Sequence, residues 1–142
     1  TNWSSIEEKF YEASIEGGTA KFYYQNKKLQ KIITVSFGET YRSLIEYYLL
    51  DGELSFVYEK IFRYNRPFNY DSTSMKENND TEVFDLSKAT LKEVRNYFEN
   101  DKLIYQISKD KKDNNLNSEY KLSEQKRIID EYEKLLKFAM EP

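Results

Sequence analysis

Apolar and polar residues alternate along much of the chain with a period of two, which is typical of strands that bury one face. The alternation runs over residues 19–64 and is broken by short polar segments that favour turns. It predicts a four-stranded antiparallel meander over 19–64. A further alternating segment predicts a third hairpin over 83–108, so we expect a sheet of about six strands in three hairpins.

A short phrase recurs in this pattern: an aromatic pair, a polar turn and a returning apolar residue. In one copy the turn is Asp51-Gly52, a pair that accepts the positive φ angles of a type I′ turn. Asn26 and Asn100 open the corresponding turns of the other copies. The phrase therefore predicts three β-hairpins. Its copies are Phe22–Leu29, Tyr47–Leu54 and Tyr97–Leu103.

The turn residues also predict how the strands pair. With Asp51 and Gly52 as the turn, one face of the hairpin would carry a set of apolar pairs and would be buried. The same register places Glu46 and Glu59 on the opposite, solvated face. A three-residue loop over 38–40 is expected to join the second and third strands of the meander. The predicted buried pairs are Leu49 with Leu54, Tyr47 with Phe56, Ile45 with Tyr58 and Tyr41 with Phe62.

A helix is predicted at each end of the chain. Over 1–17, Ser4 and Glu7 have the spacing of a capping box, and apolar residues recur every three or four positions until two glycines end the pattern. Over 123–140, Ser123 can cap a helix whose apolar stripe is about 100° wide, and this helix is expected to pack on the sheet. The apolar positions are Trp3, Ile6, Phe10 and Ala13 in the first helix, and Ile128, Tyr132, Leu135 and Ala139 in the second.

The remaining segments, 65–82 and 109–122, are polar and are predicted to be a loop and a linker. With 142 residues, the chain is expected to form a single α+β domain. We expect an aromatic core, because the chain contains 13 Tyr and 9 Phe residues.

Charge and hydropathy narrow the range of partners. A formal net charge of −3 provides no overall basic field for a phosphate backbone, so nucleic acid is not expected as a partner. The mean hydropathy is −0.86, and no stretch of about 18 apolar residues occurs, so no transmembrane segment is expected. The chain begins with Thr1 rather than Met, which fits either a processed secreted protein or a shortened recombinant chain.

The chain contains neither histidine nor cysteine. Catalytic Ser–His and Cys–His groups and thiolate-bound zinc are therefore excluded. Glu46 and Glu59 are candidates for a catalytic carboxylate pair, but a solvated pair of side chains is the preferred interpretation. No catalytic residue or cofactor is predicted.

One segment has the spacing of an EF-hand calcium loop. Asp113, Asn115, Asn117 and Glu124 occupy ligand positions of that pattern, but Ser118 stands where the loop requires glycine. A solvated linker is therefore the preferred interpretation, and no metal site is predicted.

The segment 63–70 is the candidate binding site, because it combines two guanidinium groups with three aromatic rings at the end of a strand. Such groups bind carboxylates, sugar faces and acidic loops of partner proteins. In the alternative interpretation the rings complete the core and the arginines bridge carboxylates such as Glu59. The candidate residues are Arg63, Tyr64, Arg66, Phe68 and Tyr70.

The order of the elements also carries a resemblance. A hairpin over Tyr47–Glu59, another over Asn96–Ile104 and a terminal amphipathic helix follow one another along the chain. In this order the chain resembles the small uncharacterised cell-envelope lipoproteins of Bacteroidetes over most of the meander. The resemblance implies a location in the periplasm or cell envelope rather than a reaction, and a cytoplasmic location stays open.

We therefore expect a non-enzymatic secreted or periplasmic domain that binds a protein partner or a small ligand. The binding surface would be the sheet face or the 63–70 segment, and a homodimer would follow if the helices leave an apolar face uncovered. Two alternatives stand beside this hypothesis. One is an immunity-type inhibitor that binds a toxin; the other is a carboxylate-based enzyme that acts on glycans, which requires two carboxylates in a cleft.

Overall fold

The computed structural model describes residues 8–108 and 118–139 and shows one antiparallel sheet with a C-terminal helix. The strands lie across the sheet in chain order, so each pairs with the next one in the sequence. The α+β class, the meander and the C-terminal helix are confirmed, but the described sheet has seven strands rather than about six. The strands are Glu8–Ile15 (β1), Gly18–Gln25 (β2), Lys28–Phe37 (β3), Tyr41–Leu50 (β4), Glu53–Arg63 (β5), Thr90–Glu99 (β6) and Lys102–Ser108 (β7). The helices are Ser72–Glu77 (α1) and Ser118–Ala139 (α2).

The predicted N-terminal helix over 1–17 is wrong from Glu8 onward, because these residues form β1. Tyr11, Ala13 and Ile15 alternate toward the core and pack against it. As a strand, this segment pairs its backbone with β2 and presents all three side chains to the core at once. The proposed capping box lies outside the described residues.

Of the two glycines that were predicted to stop a helix, Gly17 forms the turn between β1 and β2 with Glu16, and Gly18 is the first residue of β2. Gly17 has a φ of 77°, a left-handed conformation that side chains with a Cβ atom disfavour. At Gly18, a Cβ atom would lie 1.8 Å from the carbonyl oxygen of Val35. Glycine at 18 therefore lets β2 approach β3 closely at this end of the sheet.

The three predicted hairpin turns are present, and both central residues of each turn have positive φ. This is the arrangement of a type I′ turn, whose twist matches that of the flanking strands. The φ angles are 51° and 67° at Asn26 and Lys27, 52° and 81° at Asp51 and Gly52, and 52° and 62° at Asn100 and Asp101.

A β-bulge follows each of these turns and changes the pairing beyond it. Leu49 pairs with Leu54 as predicted, but Ser55 is left without a partner, so Tyr47 pairs with Val57. The same shift occurs at Gln30 and Ile104 in the other two hairpins. Three predicted pairs are therefore wrong, namely Tyr47 with Phe56, Ile45 with Tyr58 and Tyr41 with Phe62.

The loop between β3 and β4 also differs from the expected three-residue loop over 38–40. The N–H group of Gly38 donates to the carbonyl of Tyr41 at 2.9 Å, so the loop consists of Glu39 and Thr40. The resulting register pairs Val35 with Leu44.

Helix α2 covers one face of the sheet. Ile128, Tyr132 and Leu135 are buried against it, and the ring of Tyr132 stacks on that of Tyr47 with 6.0 Å between the ring centroids. At the end of α2, the hydroxyl of Tyr24 donates to the carbonyl of Ala139 at 3.0 Å, which satisfies one of the free helix-end carbonyls. No helix in the described part of the chain is long and apolar enough to cross a membrane.

The predicted boundaries of the C-terminal half need correction. Helix α2 begins at Ser118 rather than at residue 123, so 118–122 are helical, whereas the rest of the predicted linker lies outside the described residues. The third hairpin begins at Thr90 rather than at residue 83. The connection between β5 and β6 accordingly spans residues 64–89 and contains α1 and a short 3-10 turn over Leu86–Lys88.

The two faces of the sheet differ in burial. Every buried residue of the described strands lies on the face that packs against α2, which we call the helix face. The side chains of the opposite face are half-buried or exposed, and we call it the open face. Because of the bulges, Phe56, Tyr58 and Phe62, all predicted to be buried, lie on the open face.

Candidate functional site

The predicted 63–70 site lies at the start of the β5–β6 connection, where its strongest contacts are internal. Arg66 donates from Nε and Nη2 to the two carboxylate oxygens of Asp80 at 2.6 and 2.7 Å. The hydroxyl of Tyr70 donates to the same carboxylate at 3.1 Å. The hydrogen bonds from Arg66 hold the pKa of Asp80 far below its ordinary value. The guanidinium of Arg66, which was predicted to bind a ligand, is thus already bound to Asp80.

The other predicted site residues point to separate places. Tyr64 packs edge-on against Phe84 with 5.4 Å between the centroids, and Phe68 is 60% exposed. Arg63 is an exposed residue at the end of β5. The structure therefore brings Arg66 and Tyr70 together at Asp80, and Arg66 bridges Asp80 rather than Glu59.

A cluster of polar side chains lies between the sheet and the first half of α2, and we call it the buried polar cluster. Arg127 forms two hydrogen bonds of 2.9 Å with the carboxylate of Glu59, whose side chain is 4% exposed. Asn96 donates to the same carboxylate at 3.0 Å, and Gln106 donates to Asn96 at 2.8 Å. Tyr120 donates to Gln106 at 2.9 Å. The members are Glu59, Asn96, Gln106, Tyr120, Glu124 and Arg127.

The buried polar cluster corrects two predictions about carboxylates. Glu59 is buried on the helix face rather than solvated, because the bulge at Ser55 reverses the direction of its side chain. Glu46 lies on the open face, where it accepts a hydrogen bond from Tyr48. The two carboxylates considered for catalysis are therefore on opposite sides of the sheet.

The buried polar cluster borders a cavity of about 320 Å³, but its hydrogen bonds are already complete. Among the described residues, no buried side-chain nitrogen or oxygen lacks a partner. Burial alone would raise the pKa of Glu124, but the hydrogen bonds and charge of Arg127 outweigh burial and lower it. Glu124 is thus held as a carboxylate. The arrangement is typical of a network that fixes the position of a helix.

Seven side chains on the open face form a continuous line across all the strands, and we call this line the aromatic row. Each member pairs directly with the next one on the neighbouring strand. Six of the seven are aromatic, and β3 contributes a lysine. The members, from β1 to β7, are Phe10, Tyr23, Lys31, Tyr48, Phe56, Tyr97 and Tyr105.

Neighbouring rings of the aromatic row pack against each other. Centroid separations are 5.6 Å for Phe10 and Tyr23, and 5.0 Å for Phe56 and Tyr97. Rings lying flat on the sheet could not approach this closely without colliding at their edges, so they stand upright with their faces partly turned to each other. Lys31 fills the gap, with its Nζ atom 4.6 Å from the centroid of Tyr23. The row therefore presents ring edges and hydroxyl groups to solvent.

Five cations of the open face are each placed over an aromatic ring. The guanidinium groups of Arg42 and Arg95 lie 4.8 and 4.9 Å from the centroids of Phe62 and Tyr58. None of the five forms a salt bridge within the described part of the chain. The five are Lys21, Lys31, Arg42, Lys60 and Arg95.

Two glutamate carboxylates of the open face accept hydrogen bonds from tyrosine hydroxyls. Tyr48 donates to Glu46, and Tyr58 donates to Glu93 at 2.9 Å. Burial, reinforced by the hydrogen bond to Glu46, raises the pKa of Tyr48 to about 12. These glutamates thus act as acceptors for tyrosine and leave the neighbouring cations without a carboxylate partner.

Comparisons of this chain with protein families, with curated proteins and with solved structures found no match. Function is therefore inferred from the chemistry of the molecule's own surfaces.

Proposed function

We propose that this protein is a non-enzymatic binding domain whose open face docks another protein. The observation that carries the proposal is the aromatic row, which crosses the whole sheet on the face that α2 does not cover. Tyrosine, phenylalanine and arginine are enriched where proteins bind each other, because they supply contact area and hydrogen bonds together. A secreted or periplasmic location, as the lipoprotein resemblance implies, is part of the proposal.

The size of the row supports a protein partner. Seven neighbouring strands are separated by six steps of about 4.8 Å, so the row is about 29 Å long. That length is comparable to the width of an ordinary protein interface. An open depression of about 580 Å³ lies against only the β1–β4 part of the row, beside Phe10, Tyr23, Lys31 and Tyr48. The rings are only half-buried, apart from the exposed Phe10, so their edges and hydroxyls are accessible.

A displayed library of random peptides tests the proposal. Peptides of about nine residues match the length of the row when extended. We expect peptides selected on the wild type to lose most of their affinity for a variant carrying Tyr48→Thr and Tyr97→Thr, because threonine keeps the strand and removes the rings. Phe10→Thr, at a ring that is 60% exposed, provides a second variant with little risk to folding.

The matched control removes two exposed apolar side chains from the β5–β6 connection. Phe68 and Leu86 are 60% and 67% exposed, and their replacement by threonine should leave peptide binding unchanged. Urea unfolding of every variant verifies the fold. A library that yields no wild-type binder, or binders that depend on Phe68 and Leu86 instead, would refute the open face as the docking surface.

A further inference from the structure

We propose that the partner presents an acidic surface to the open face, an inference that rests on the proposed function. Among the described side chains of the strands, the open face carries seven cations and five carboxylates. Five of these cations and three of the carboxylates lie in the aromatic row and in the three rows on its side away from the type I′ turns. The whole chain has a formal net charge of −3. Positive charge is therefore concentrated on this face of an acidic molecule.

The five cations are available to a partner. None of them is engaged by a carboxylate of the described chain, and Arg42 and Arg95 are exposed. Each guanidinium lies over a ring, at 4.8 Å for Arg42 and 4.9 Å for Arg95, and that contact leaves its N–H donors without a carboxylate acceptor from the described chain. Carboxylates of a partner would satisfy these donors, and their charge would guide the partner to this face during encounter.

The ring geometry argues against single-stranded nucleic acid as the occupant. A base binds to a sheet by stacking on a free aromatic face. Within the aromatic row, the faces of Phe56 and Tyr97 are turned to neighbouring rings, and Lys31 covers Tyr23.

A second copy of the chain is also a poor occupant. Two open faces in contact would bring the same excess of cations together, which opposes association. A different protein with an acidic surface would contact the row through its own apolar and hydroxyl-bearing residues. Its carboxylates would neutralise the five cations.

Three synthetic peptides of equal length test the inference. They share the same leucine and tyrosine positions and carry glutamate, glutamine or lysine at all others. We expect the glutamate peptide to bind the wild type at least about tenfold more tightly than the glutamine peptide, with an affinity that falls as ionic strength rises from about 0.05 to 0.5 M. Fluorescence anisotropy measures all three, and a labelled oligothymidylate serves as the nucleic-acid probe.

Two charge-matched variants assign the effect to the open face. The pair Arg42→Gln and Arg95→Gln should weaken binding of the glutamate peptide about tenfold, whereas Lys76→Gln with Lys137→Gln, at exposed positions on α1 and α2, should not. Tighter binding of oligothymidylate would overturn the acidic-protein assignment. Equal binding of the glutamine peptide, or no binding of any of the three, would also overturn it. In either case the library experiment still decides whether the open face docks proteins.

Discussion

Glu59 is a buried carboxylate within the buried polar cluster, and Arg127 neutralises it from α2. The side chain of Glu59 is 4% exposed, whereas that of Arg127 is 46% exposed. Moving an ion from water into a protein interior costs several kcal/mol, so the pair is stable only because the charges and hydrogen bonds compensate each other. The contact therefore fixes the first half of α2 on the sheet more than it adds to stability.

Replacing Arg127 should show how far the folded state depends on the neutralisation of Glu59. We expect Arg127→Met to lower the free energy of unfolding by about 3 kcal/mol at pH 7, because the carboxylate of Glu59 would remain buried without a cation. Urea unfolding at pH 7 measures the loss.

Two further variants separate charge from packing at this position. Adding Glu59→Gln to Arg127→Met should recover part of the stability at pH 7, because no buried charge is left. Lys126→Met on the same helix removes only an exposed ion pair with Asp130 and should change stability by less than about 0.5 kcal/mol. Equal losses for Lys126→Met and Arg127→Met would show that Glu59 does not depend on its partner.

At the scale of elements, the three hairpins share one design: a type I′ turn, two pairs of residues and a bulge. Only one of the three turns has glycine, Gly52, at its second position. The other two turns have Lys27 and Asp101 there, and both of these residues also have positive φ. A left-handed conformation costs an ordinary residue roughly 1–2 kcal/mol. Lys27 therefore holds strain that the fold tolerates.

Glycine at this position should relieve that strain. We expect Lys27→Gly to raise the free energy of unfolding by up to about 1 kcal/mol, with a smaller gain for Asp101→Gly because aspartate tolerates this conformation better. Lys28→Gly, one residue further and in the extended β3, should instead destabilise by about 0.5 kcal/mol. The urea concentrations at the unfolding midpoints, compared at constant m-value, measure these changes in stability. Indistinguishable midpoints for the changes at 27 and 28 would contradict the strain at Lys27.

The meander and its turns were predictable because they depend on local sequence. Asp51-Gly52 specifies its turn and the first pairs beside it, and Leu49 does pair with Leu54. The bulge at Ser55 was not predictable, because both faces of the hairpin are rich in apolar residues. With Val57 on one side and Phe56 and Tyr58 on the other, either face could have been the buried one.

The sites were harder to predict, because they depend on contacts between distant parts of the chain. Glu59 and Arg127 are 68 positions apart, and Arg66 and Asp80 are 14 apart. The aromatic row needs the correct register of all seven strands, so an undetected bulge moves the members beyond it to the wrong face. The sequence carried one signal of this row: the chain contains more tyrosines than one buried face could hold.

At the scale of the whole molecule, a sheet with one covered face raises the question of what covers the other. The helix face holds all the buried residues of the described strands, and α2 closes it. The open face combines six aromatic rings of the row with an excess of positive charge. An uncovered apolar face alone would favour a homodimer, whereas this charge opposes one.

We therefore expect the protein to be monomeric at about 0.1 mM and low ionic strength, because two open faces repel each other when their charges are unscreened. Sedimentation velocity measures this directly. In about 1 M salt, where the screening length falls to roughly 3 Å, weak self-association through the aromatic row should appear and should be abolished by Tyr48→Thr with Tyr97→Thr. The control pair Phe68→Thr with Leu86→Thr should leave it unchanged. A stable dimer at low salt that disappears in the Tyr48 and Tyr97 variant would mean that the open face is covered by a second copy of the chain.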